Sequence, residues 1–379
     1  MTPTEILKYY EVRREAIITS IREIVDIESP SRDAAQSKLV VDWIERAFRQ
    51  TGVDVEIERV KADGYGEHLV IKAFPEKGKH ILLLGHTDTV HPVATNLKNA
   101  TRIEGDRFYG CGIFDMKSGI VLMIEALRFF TETNTVPISP ITILLSCDEE
   151  IGSYSGRPLV EREAANAERC LVFEPSADGR VKTGRKGTGT FTLHAHGAPA
   201  HAGLEPEKGA NAVAELAREI ERVHAIARPE LGTTVNVTTF HGGTTTNVIP
   251  DLATCEIDVR FSSADEAERV ESELRSLQAI DRCVSLELGG EINRPPMERT
   301  DAVVALYEKA RELAMSIDYE LGETQVGGAS DGNFVAALGV PVLDGLGITG
   351  AGAHTLEEHI LVSDVTKRAA LITMLLLCQ

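Results

Sequence analysis

Three short apolar runs in this chain each end in side chains that bind metals or transfer protons. The run ILLL precedes His86 and Asp88, and the run CLVF precedes Glu174. The run ITILLS precedes Glu149 and Glu150. In open α/β sheets, ligands bind beyond the carboxyl ends of the strands. Three strands that deliver imidazole and carboxylate groups to one edge therefore predict a single site.

Two further candidate ligands lie elsewhere in the chain. Asp115 follows the glycine-punctuated loop GCGIF, and His354 ends a glycine-rich loop at 345–353. The candidate ligands are His86, Asp115, Glu150, Glu174 and His354. Imidazole with carboxylate favours zinc or a similar ion over calcium or magnesium. Five ligands exceed what one catalytic zinc usually takes, so the set predicts two ions that share a carboxylate.

Glu149 is adjacent to a predicted ligand and need not bind metal itself. A carboxylate in this place can act as general base on a water molecule. Taken singly, an acidic run is often a solvated loop, and a histidine after a strand is often structural. The shared placement of these residues at strand ends favours the catalytic interpretation.

The pattern around these residues predicts an α/β domain with a mainly parallel sheet, because apolar strands alternate with amphipathic helices. Predicted helices cover 4–28, 33–51 and 116–132, and predicted strands cover 53–59, 67–73, 80–84, 141–145 and 170–173.

The pattern changes near residue 180. The following segment predicts the order β-α-β-β-α-β, which is typical of a ferredoxin-like α+β domain. The predicted elements are strands at 191–197, 233–240, 254–261 and 284–288, and helices at 208–225 and 264–280. We therefore predict a catalytic domain at 1–178 and 290–379, and an inserted domain at 179–289. Helices at 301–315 and 363–377 complete the first domain.

Composition narrows the classes of function. The 379 residues are enough for about two domains, and the formal net charge of −19 argues against nucleic-acid binding, which needs clustered Lys and Arg.

No apolar run approaches the roughly 20 residues of a membrane span, and the charged N-terminus has no apolar signal region. Without a C-x-x-C pair, the six cysteines predict buried thiols rather than disulfides. A cytoplasmic protein without a membrane partner is expected.

At these residues the sequence resembles the co-catalytic zinc aminoacylase and carboxypeptidase family. That family includes acetylornithine deacetylase, succinyl-diaminopimelate desuccinylase, peptidase T and the glutamate carboxypeptidase of the carboxypeptidase G type. The resemblance extends over nearly the whole chain, to His354. It is carried by GHTDTVHP at 85–92, GCGIFDMKSG at 110–119, SCDEEIGS at 146–153, FEPS at 173–176, GAPAHAGLEPEKGANAV at 197–213, TTNVIPDLATCEIDVRF at 245–261 and GGASDGNF at 327–334.

The resemblance implies how the ligands are shared. His86, Asp115 and Glu174 would bind one ion, and Asp115 would bridge to a second ion held by Glu150 and His354. The implied cofactor is two Zn²⁺ per subunit, with Co²⁺ or Mn²⁺ as possible substitutes.

Two features around the ligands are implied in the same way. Asp88 would accept a hydrogen bond from His86 and fix the tautomer of its ring. The peptide bond Asp115–Met116 would be cis, a conformation that is rare without proline.

The resemblance also assigns roles to the inserted domain, which would form a homodimer and act as a lid. His201 would stabilise the oxyanion in the site of the partner subunit, and Asn247 and Arg260 would contact substrate. Arg294 precedes two prolines that stiffen the backbone. An arginine there could bind the substrate carboxylate through two parallel hydrogen bonds, although a surface ion pair is the alternative.

The predicted activity is hydrolysis of an amide bond next to a free carboxylate in a small peptide or an N-acyl amino acid. Within the family, Glu174 resembles the carboxypeptidases and deacylases more than the tripeptidases. The segment GGASDGNF and the loop before His354 most resemble the glutamate carboxypeptidase branch. The sequence RKG at 185–187 is closer to the deacylases, so an N-acyl amino acid deacylase is the alternative. A non-catalytic, metal-stabilised relative is the third hypothesis. Such a protein would be expected to lose Glu149 or a ligand, and this chain keeps all of them.

Overall fold

The computed structural model describes residues 1–75 and 78–378, which divide into two compact units. The first unit comprises residues 1–184, 299–325 and the chain from Ser330 onward. The second comprises 185–298 with 326–329. The predicted boundaries were 178/179 and 289/290. In the structure, 179–184 belong to the first unit and 290–298 to the second.

The helices, numbered along the chain, are α1 (Pro3–Val25), α2 (Ala34–Arg49), α3 (Ser118–Thr133), α4 (Arg157–Ala164), α5 (Ala212–His224), α6 (Ala264–Arg275), α7 (Asp301–Met315), α8 (Gly332–Ala337) and α9 (Val365–Leu377). Several of these helices have a polar residue at the N-cap. This is expected because the first backbone N–H groups of a helix have no hydrogen-bond partner within the helix. Thr2 and Glu5 form a reciprocal capping box at α1, and Asp33 caps α2.

The strands, numbered in the same way, are β1 (Val55–Ala62), β2 (Gly66–Ala73), β3 (His80–His86), β4 (Arg102–Glu104), β5 (Arg107–Tyr109), β6 (Ile141–Ser146), β7 (Ala167–Val172), β8 (Val181–Arg185), β9 (Gly187–His196), β10 (Ala200–His201), β11 (Thr234–Gly242), β12 (Val248–Ile249), β13 (Leu252–Phe261), β14 (Ser285–Arg294), β15 (Glu323–Val326), β16 (Val342–Leu343), β17 (Gly350–Ala351) and β18 (His359–Leu361).

A mixed, mostly parallel sheet forms the core of the first unit. Its strand order is β1-β2-β6-β3-β7-β16, in which β6, β3, β7 and β16 run parallel and β1 and β2 complete the edge in antiparallel pairs. Every residue of β3 and of β6 is buried, which is why both strands read as unbroken apolar runs rather than alternating ones. The predicted α/β fold of this region is confirmed.

Helix α3 begins two residues later than the sequence predicts. The backbone of Asp115 and of Met116 is non-helical, with φ −117° and ψ 92° at Asp115. Regular helix therefore starts at Ser118, and Asp115 is held in the loop before it rather than in the first turn. The peptide bond between Asp115 and Met116 is cis, which confirms that expectation.

The second unit contains an antiparallel sheet with the order β11-β13-β9-β14. Along the chain its elements follow the order β9-α5-β11-β13-α6-β14, as the sequence predicts. Strand β9 alternates buried and exposed side chains, and residues such as Phe191 and Leu193 enter a core that belongs to this unit. Strand β14 continues to Arg294, six residues beyond its predicted end, which moves the boundary toward the C-terminus.

No described helix has both the length and the apolar character required to cross a membrane.

Candidate metal centre

The ends of three parallel strands lie in register at one edge of the central sheet. His86, the last residue of β3, is the partner of Ser146, the last residue of β6. On the other side of β3, Leu84 is the partner of Val172, the last residue of β7. The segments that leave these strands therefore start side by side, so the predicted residues that follow them are neighbours in space.

The two carboxylate oxygens of Asp115 face two different histidines. Oδ1 is 3.1 Å from Nε2 of His86, and Oδ2 is 3.4 Å from Nε2 of His354. The Nε2 atom of each histidine also faces a glutamate. Glu174 Oε1 is 3.4 Å from His86 Nε2, and Glu150 Oε2 is 3.2 Å from His354 Nε2. The five predicted ligands thus form one continuous cluster with Asp115 at its centre.

The cluster has the composition and spacing of a metal site. Ligand atoms of His86, Asp115 and Glu150 lie within 4.8 Å of one another, and so do those of His86, Glu149 and Glu174. Glu150 Oε1 is buried without a hydrogen-bond partner among the described residues, which is costly unless a further group satisfies it. Imidazole and carboxylate oxygen are suitable ligands for zinc and related ions, so the residues present fit such an ion.

The carboxylates of the cluster favour the charged form of both histidines. Burial lowers the pKa of His86, but hydrogen bonds to Asp115, Asp88 and Glu174 outweigh it and raise that pKa well above its ordinary value. Hydrogen bonds to Asp115 and Glu150 raise the pKa of His354 to about 10. The carboxylates of the cluster therefore need positive charge close by, which a divalent cation also supplies.

The pKa values of Asp115 and Glu150, the two carboxylates next to His354, shift in opposite directions. Burial raises the pKa of Asp115, but hydrogen bonds from His354 and His86 overcome it and keep the pKa well below its ordinary value. At Glu150, burial dominates and raises the pKa above its ordinary value. Asp115 is thus the more strongly stabilised anion of the two, which suits a carboxylate that is shared.

Asp88 holds the site together through two different groups. Its backbone carbonyl lies 2.9 Å from His86 Nδ1, whereas its nearer carboxylate oxygen is at 3.4 Å. The carbonyl of Asp88 is therefore the nearest acceptor to the ring, with its carboxylate slightly farther away. The carboxylate also accepts hydrogen bonds from the backbone N–H groups of Glu149 and Glu150, at 3.1 and 3.3 Å, and from the Ser31 hydroxyl at 2.7 Å.

The predicted residues of the second unit lie partly in two short paired strands. His201 of β10 is the partner of Val248 of β12, and the carbonyl of Asn247 accepts a hydrogen bond from Ala202 N at 2.9 Å. His201 Nδ1 accepts hydrogen bonds from the N–H groups two and three residues ahead, at 3.2 and 3.1 Å. Because Nδ1 is an acceptor, the proton of the neutral ring is on Nε2, which leaves His201 with a donor on an exposed ring.

The two predicted arginines of the second unit lie at one level of its sheet. Arg260 of β13 and Arg294 of β14 are both partners of Thr188 in β9, and the register of β14 shifts between Ile292 and Arg294. Arg260 is half-buried and pairs with Asp258, with Nη2 at 2.9 Å from Oδ2. Arg294 is buried.

Comparison with known proteins places this arrangement in a family. The family model for peptidase family M20/M25/M40 matches residues 82–377, which is more than half of the chain. The chain belongs to this family. It is accordingly a metal-dependent peptidase or amidohydrolase, with the α/β fold described above.

Relatives of this M20 chain include carboxypeptidase G2 of Pseudomonas sp. (strain RS-16), which is 29% identical over 372 residues, 96% of this chain and 89% of the relative. Succinyl-diaminopimelate desuccinylase of Verminephrobacter eiseniae (strain EF01-2) is 32% identical over 311 residues, 76% of this chain and 75% of the relative. The crystal structure of aminopeptidase PepT from Bacillus cereus ATCC 10987 matches with a TM-score of 0.81 and 24% identity, covering 96% of this chain and 98% of that one.

Asp331 is one site residue of this M20 chain that the sequence pattern did not single out. It is buried and accepts a hydrogen bond from Ser146 Oγ at 2.8 Å and another from Ser153 Oγ. One serine precedes Glu149 and Glu150 in the sequence and the other follows them. The carboxylate of Asp331 therefore binds both ends of the segment that carries these two glutamates. Asp331 is part of GGASDGNF, a motif that carried the resemblance without a role for this residue.

Glu358 is the second residue that sequence reasoning missed. It is fully buried, and its carboxylate accepts hydrogen bonds from the backbone of the loop that carries Asp115. The available signal was an acidic pair three and four residues after a predicted histidine ligand, which is too common on protein surfaces to be noticed by itself.

Proposed function

We propose that this protein is a two-metal hydrolase that cleaves an amide bond next to a free carboxylate, in the manner of a glutamate carboxypeptidase. The observation that carries the proposal is the position of Asp115, whose two oxygens face His86 and His354 separately. In the proposed site, Glu174 completes the ligands of one zinc ion and Glu150 those of the other. Zinc held in this way supplies a Lewis acid for the amide carbonyl and lowers the pKa of a bound water.

Glu149 is proposed as the general base that moves a proton from water to the leaving nitrogen. Its backbone N–H is bound by Asp88, which holds the residue at the edge of the ligand cluster. Its carboxylate also lies close enough to His86 and Glu174 to be a metal ligand itself. The two roles differ in one measurable respect, because a ligand is needed for metal binding and a general base is not.

His201, Asn247, Arg260 and Arg294 are proposed to act on the substrate. The Nε2–H of His201 is the kind of donor that stabilises an oxyanion, and the resemblance to the family assigns it to the site of a partner subunit. This assignment requires a homodimer formed through the second unit. The measurement is mass by light scattering together with the subunit-mixing experiment described below.

The preference for a carboxylate next to the cleaved bond rests on two observations. A carboxypeptidase removes the residue that bears the free carboxylate, and the carboxypeptidase relative aligns with 96% of this chain. Arg260 and Arg294 both lie opposite Thr188 in the second unit's sheet, and an arginine can bind a carboxylate through two parallel hydrogen bonds.

An N-acyl amino acid deacylase is the second candidate function. The observation that favours it is the 32% identity to the desuccinylase. In that reaction the carboxylate of the succinyl group lies on the acyl side of the bond, so recognition of one side of the amide decides between the two activities.

A substrate panel separates these functions. The protein is loaded with Zn²⁺, Co²⁺ or Mn²⁺ and offered N-acyl glutamates, dipeptides that end in glutamate, and N-acetyl and N-succinyl diamino acids. Cleavage of the glutamate compounds supports the proposal, and exclusive cleavage of the diamino compounds supports the deacylase.

Metal analysis should give two ions per chain and fewer in Asp115→Ala. A fully active protein with one ion contradicts the two-metal proposal.

A further inference from the structure

The carboxylate of Glu358 receives four hydrogen bonds inside the first unit. Oε1 accepts from the backbone N–H groups of Phe114 and Asp115, at 2.8 and 2.9 Å. Oε2 accepts from the backbone N–H of Gly112 at 2.9 Å and from Nε2 of His91 at 2.8 Å. Glu358 is fully buried, so these bonds replace the water that a carboxylate would otherwise bind.

Three segments that carry proposed metal ligands meet at this carboxylate. Glu358 itself lies four residues after His354, in the same loop. Its partners Gly112, Phe114 and Asp115 form the loop of the bridging ligand, and His91 follows His86 by five residues. Many residues separate these segments along the chain. Their relative position therefore depends on noncovalent contacts such as the hydrogen bonds to Glu358.

The strands next to Glu358 show that the contact is anchored on both sides. Residue 359 begins β18, which pairs with β5 in antiparallel register, His359 opposite Tyr109. The backbone carbonyl of Glu358 accepts a hydrogen bond from Gly110 N at 3.1 Å. The side chain therefore extends a backbone pairing into the loop at 112–115, where no strand continues.

His91 is the side-chain hydrogen-bond donor to this buried carboxylate. Its ring is mostly buried, and hydrogen bonds to the Cys111 side chain and to Glu358 raise the pKa of His91 to about 9. A charged donor makes a stronger hydrogen bond than a neutral one and lowers the cost of burying the carboxylate.

We propose that Glu358 is a positioning residue of the metal centre: its carboxylate, paired with His91, holds the Asp115 and His354 loops together so that the site between them exists before an ion binds. This inference rests on the proposed two-metal site. It makes Glu358 a determinant of metal affinity rather than a catalytic residue, since its contacts are to backbone groups and to His91.

The test compares metal binding by folded wild-type protein and Glu358→Gln. The amide replaces one acceptor oxygen with an NH₂ group, which cannot accept the same backbone hydrogen bonds. Residues that support metal ligands typically contribute about 10–100-fold in affinity, and we expect a loss of that size for one of the two ions. Zinc affinity is measured by competition with a chromophoric chelator, and the absorption spectrum of the Co²⁺ protein reports the change in coordination.

Glu125→Gln is the matched control. Glu125 is a buried carboxylate of α3 that pairs with Arg13 at 2.8 Å and with Arg128 at 3.1 Å, and neither arginine is a proposed ligand. Both variants are expected to lower the melting temperature, but only Glu358→Gln should weaken zinc binding and alter the Co²⁺ spectrum. Unchanged affinity and spectrum in folded Glu358→Gln would overturn the proposal and leave Glu358 a purely structural residue.

A second pair of variants covers the case in which Glu358→Gln does not fold. His91→Leu removes one donor to the carboxylate and His91→Gln keeps one. We expect zinc affinity to fall about tenfold in the leucine variant, the lower end of the range for supporting residues, and to return toward wild type in the glutamine variant. Equal affinities in both variants and wild type would contradict the inference. The wild-type ion count is measured first, so failure of the two-metal proposal is recognised independently.

Discussion

The two units of this protein hold their proposed functional side chains in different ways. In the first unit, buried carboxylates accept hydrogen bonds from backbone groups that are distant in sequence. Asp88 binds the N–H groups of Glu149 and Glu150, and Glu358 binds those of Phe114 and Asp115. In each case a side chain from one segment fixes the backbone of another, next to a proposed metal ligand.

In the second unit, the corresponding side chains are bound locally. His201 is exposed and accepts hydrogen bonds from residues two and three positions ahead. Arg260 is half-buried and pairs with Asp258 on the same strand. Arg294 differs from these two because it is buried at the end of β14.

This difference predicts how each region responds to substitution. Removal of a buried carboxylate with several partners leaves N–H groups unsatisfied and disturbs neighbouring ligands. Removal of an exposed, locally bound side chain leaves the fold largely unchanged. Substitutions in the second unit therefore report on function with little structural disturbance, and those in the first unit require metal content to be measured alongside activity.

The largest effect is expected for Glu149→Gln. A general acid–base group contributes about 10²–10⁴-fold, so kcat should fall by that factor while both ions remain bound. Steady-state kinetics and metal analysis provide the measurement. Glu161→Gln, which changes an exposed glutamate of α4, should have no effect. Loss of an ion from Glu149→Gln would show that the residue is a ligand instead.

The next effect is expected for His201→Ala. Loss of one oxyanion donor costs about 10²–10³-fold in kcat, and the melting temperature should stay unchanged because the ring is exposed. The control is His241→Ala, which removes another exposed histidine of the same unit.

Mixing His201→Ala subunits with Glu149→Gln subunits should restore activity if residues are shared across a dimer. Absence of recovery after demonstrated subunit exchange argues against sharing.

A smaller effect is expected for Arg294→Ala and Arg294→Lys. A hydrogen bond to a charged group is worth about 1.5–3 kcal/mol, which corresponds to roughly 10- to 100-fold in kcat/KM for free-acid substrates. The comparison is each acid against its amide, with Arg275→Ala on α6 as the control. Wild type should prefer the acid, and the Arg294 variants should not. A preference that survives in folded Arg294→Ala would shift the assignment toward the deacylase.

The smallest effect is expected for His196→Ala on β9. Its ion pair with Glu287, at 3.3 Å, joins two substantially exposed side chains. Such pairs contribute about 0–1 kcal/mol and are screened by salt, so the free energy of unfolding should change within that range and activity should not change. Urea titration at two salt concentrations checks this. A loss of several kcal/mol would show that the second unit is also held by surface contacts, which would remove the contrast between the units.

The sequence by itself determined much of the first unit. Unbroken apolar runs predicted the buried strands β3 and β6, because burial on both faces is a property of residue type over a few positions. The polar residues that follow such strands predicted His86, Glu150 and Glu174 as neighbours. The alternating pattern of β9 and the helices around it predicted the second unit in the same way.

Only the tertiary structure decided how these residues are held. It showed that the two oxygens of Asp115 face different histidines, that the carbonyl of Asp88 is the nearest acceptor to Nδ1 of His86, and that Asp331 and Glu358 bind loops far from them in sequence. The physical reason is that the partners of these carboxylates are mostly backbone N–H groups and serine hydroxyls. Nearly every residue supplies an N–H, so such a contact leaves no pattern of residue types along the chain and exists only once distant segments have packed together.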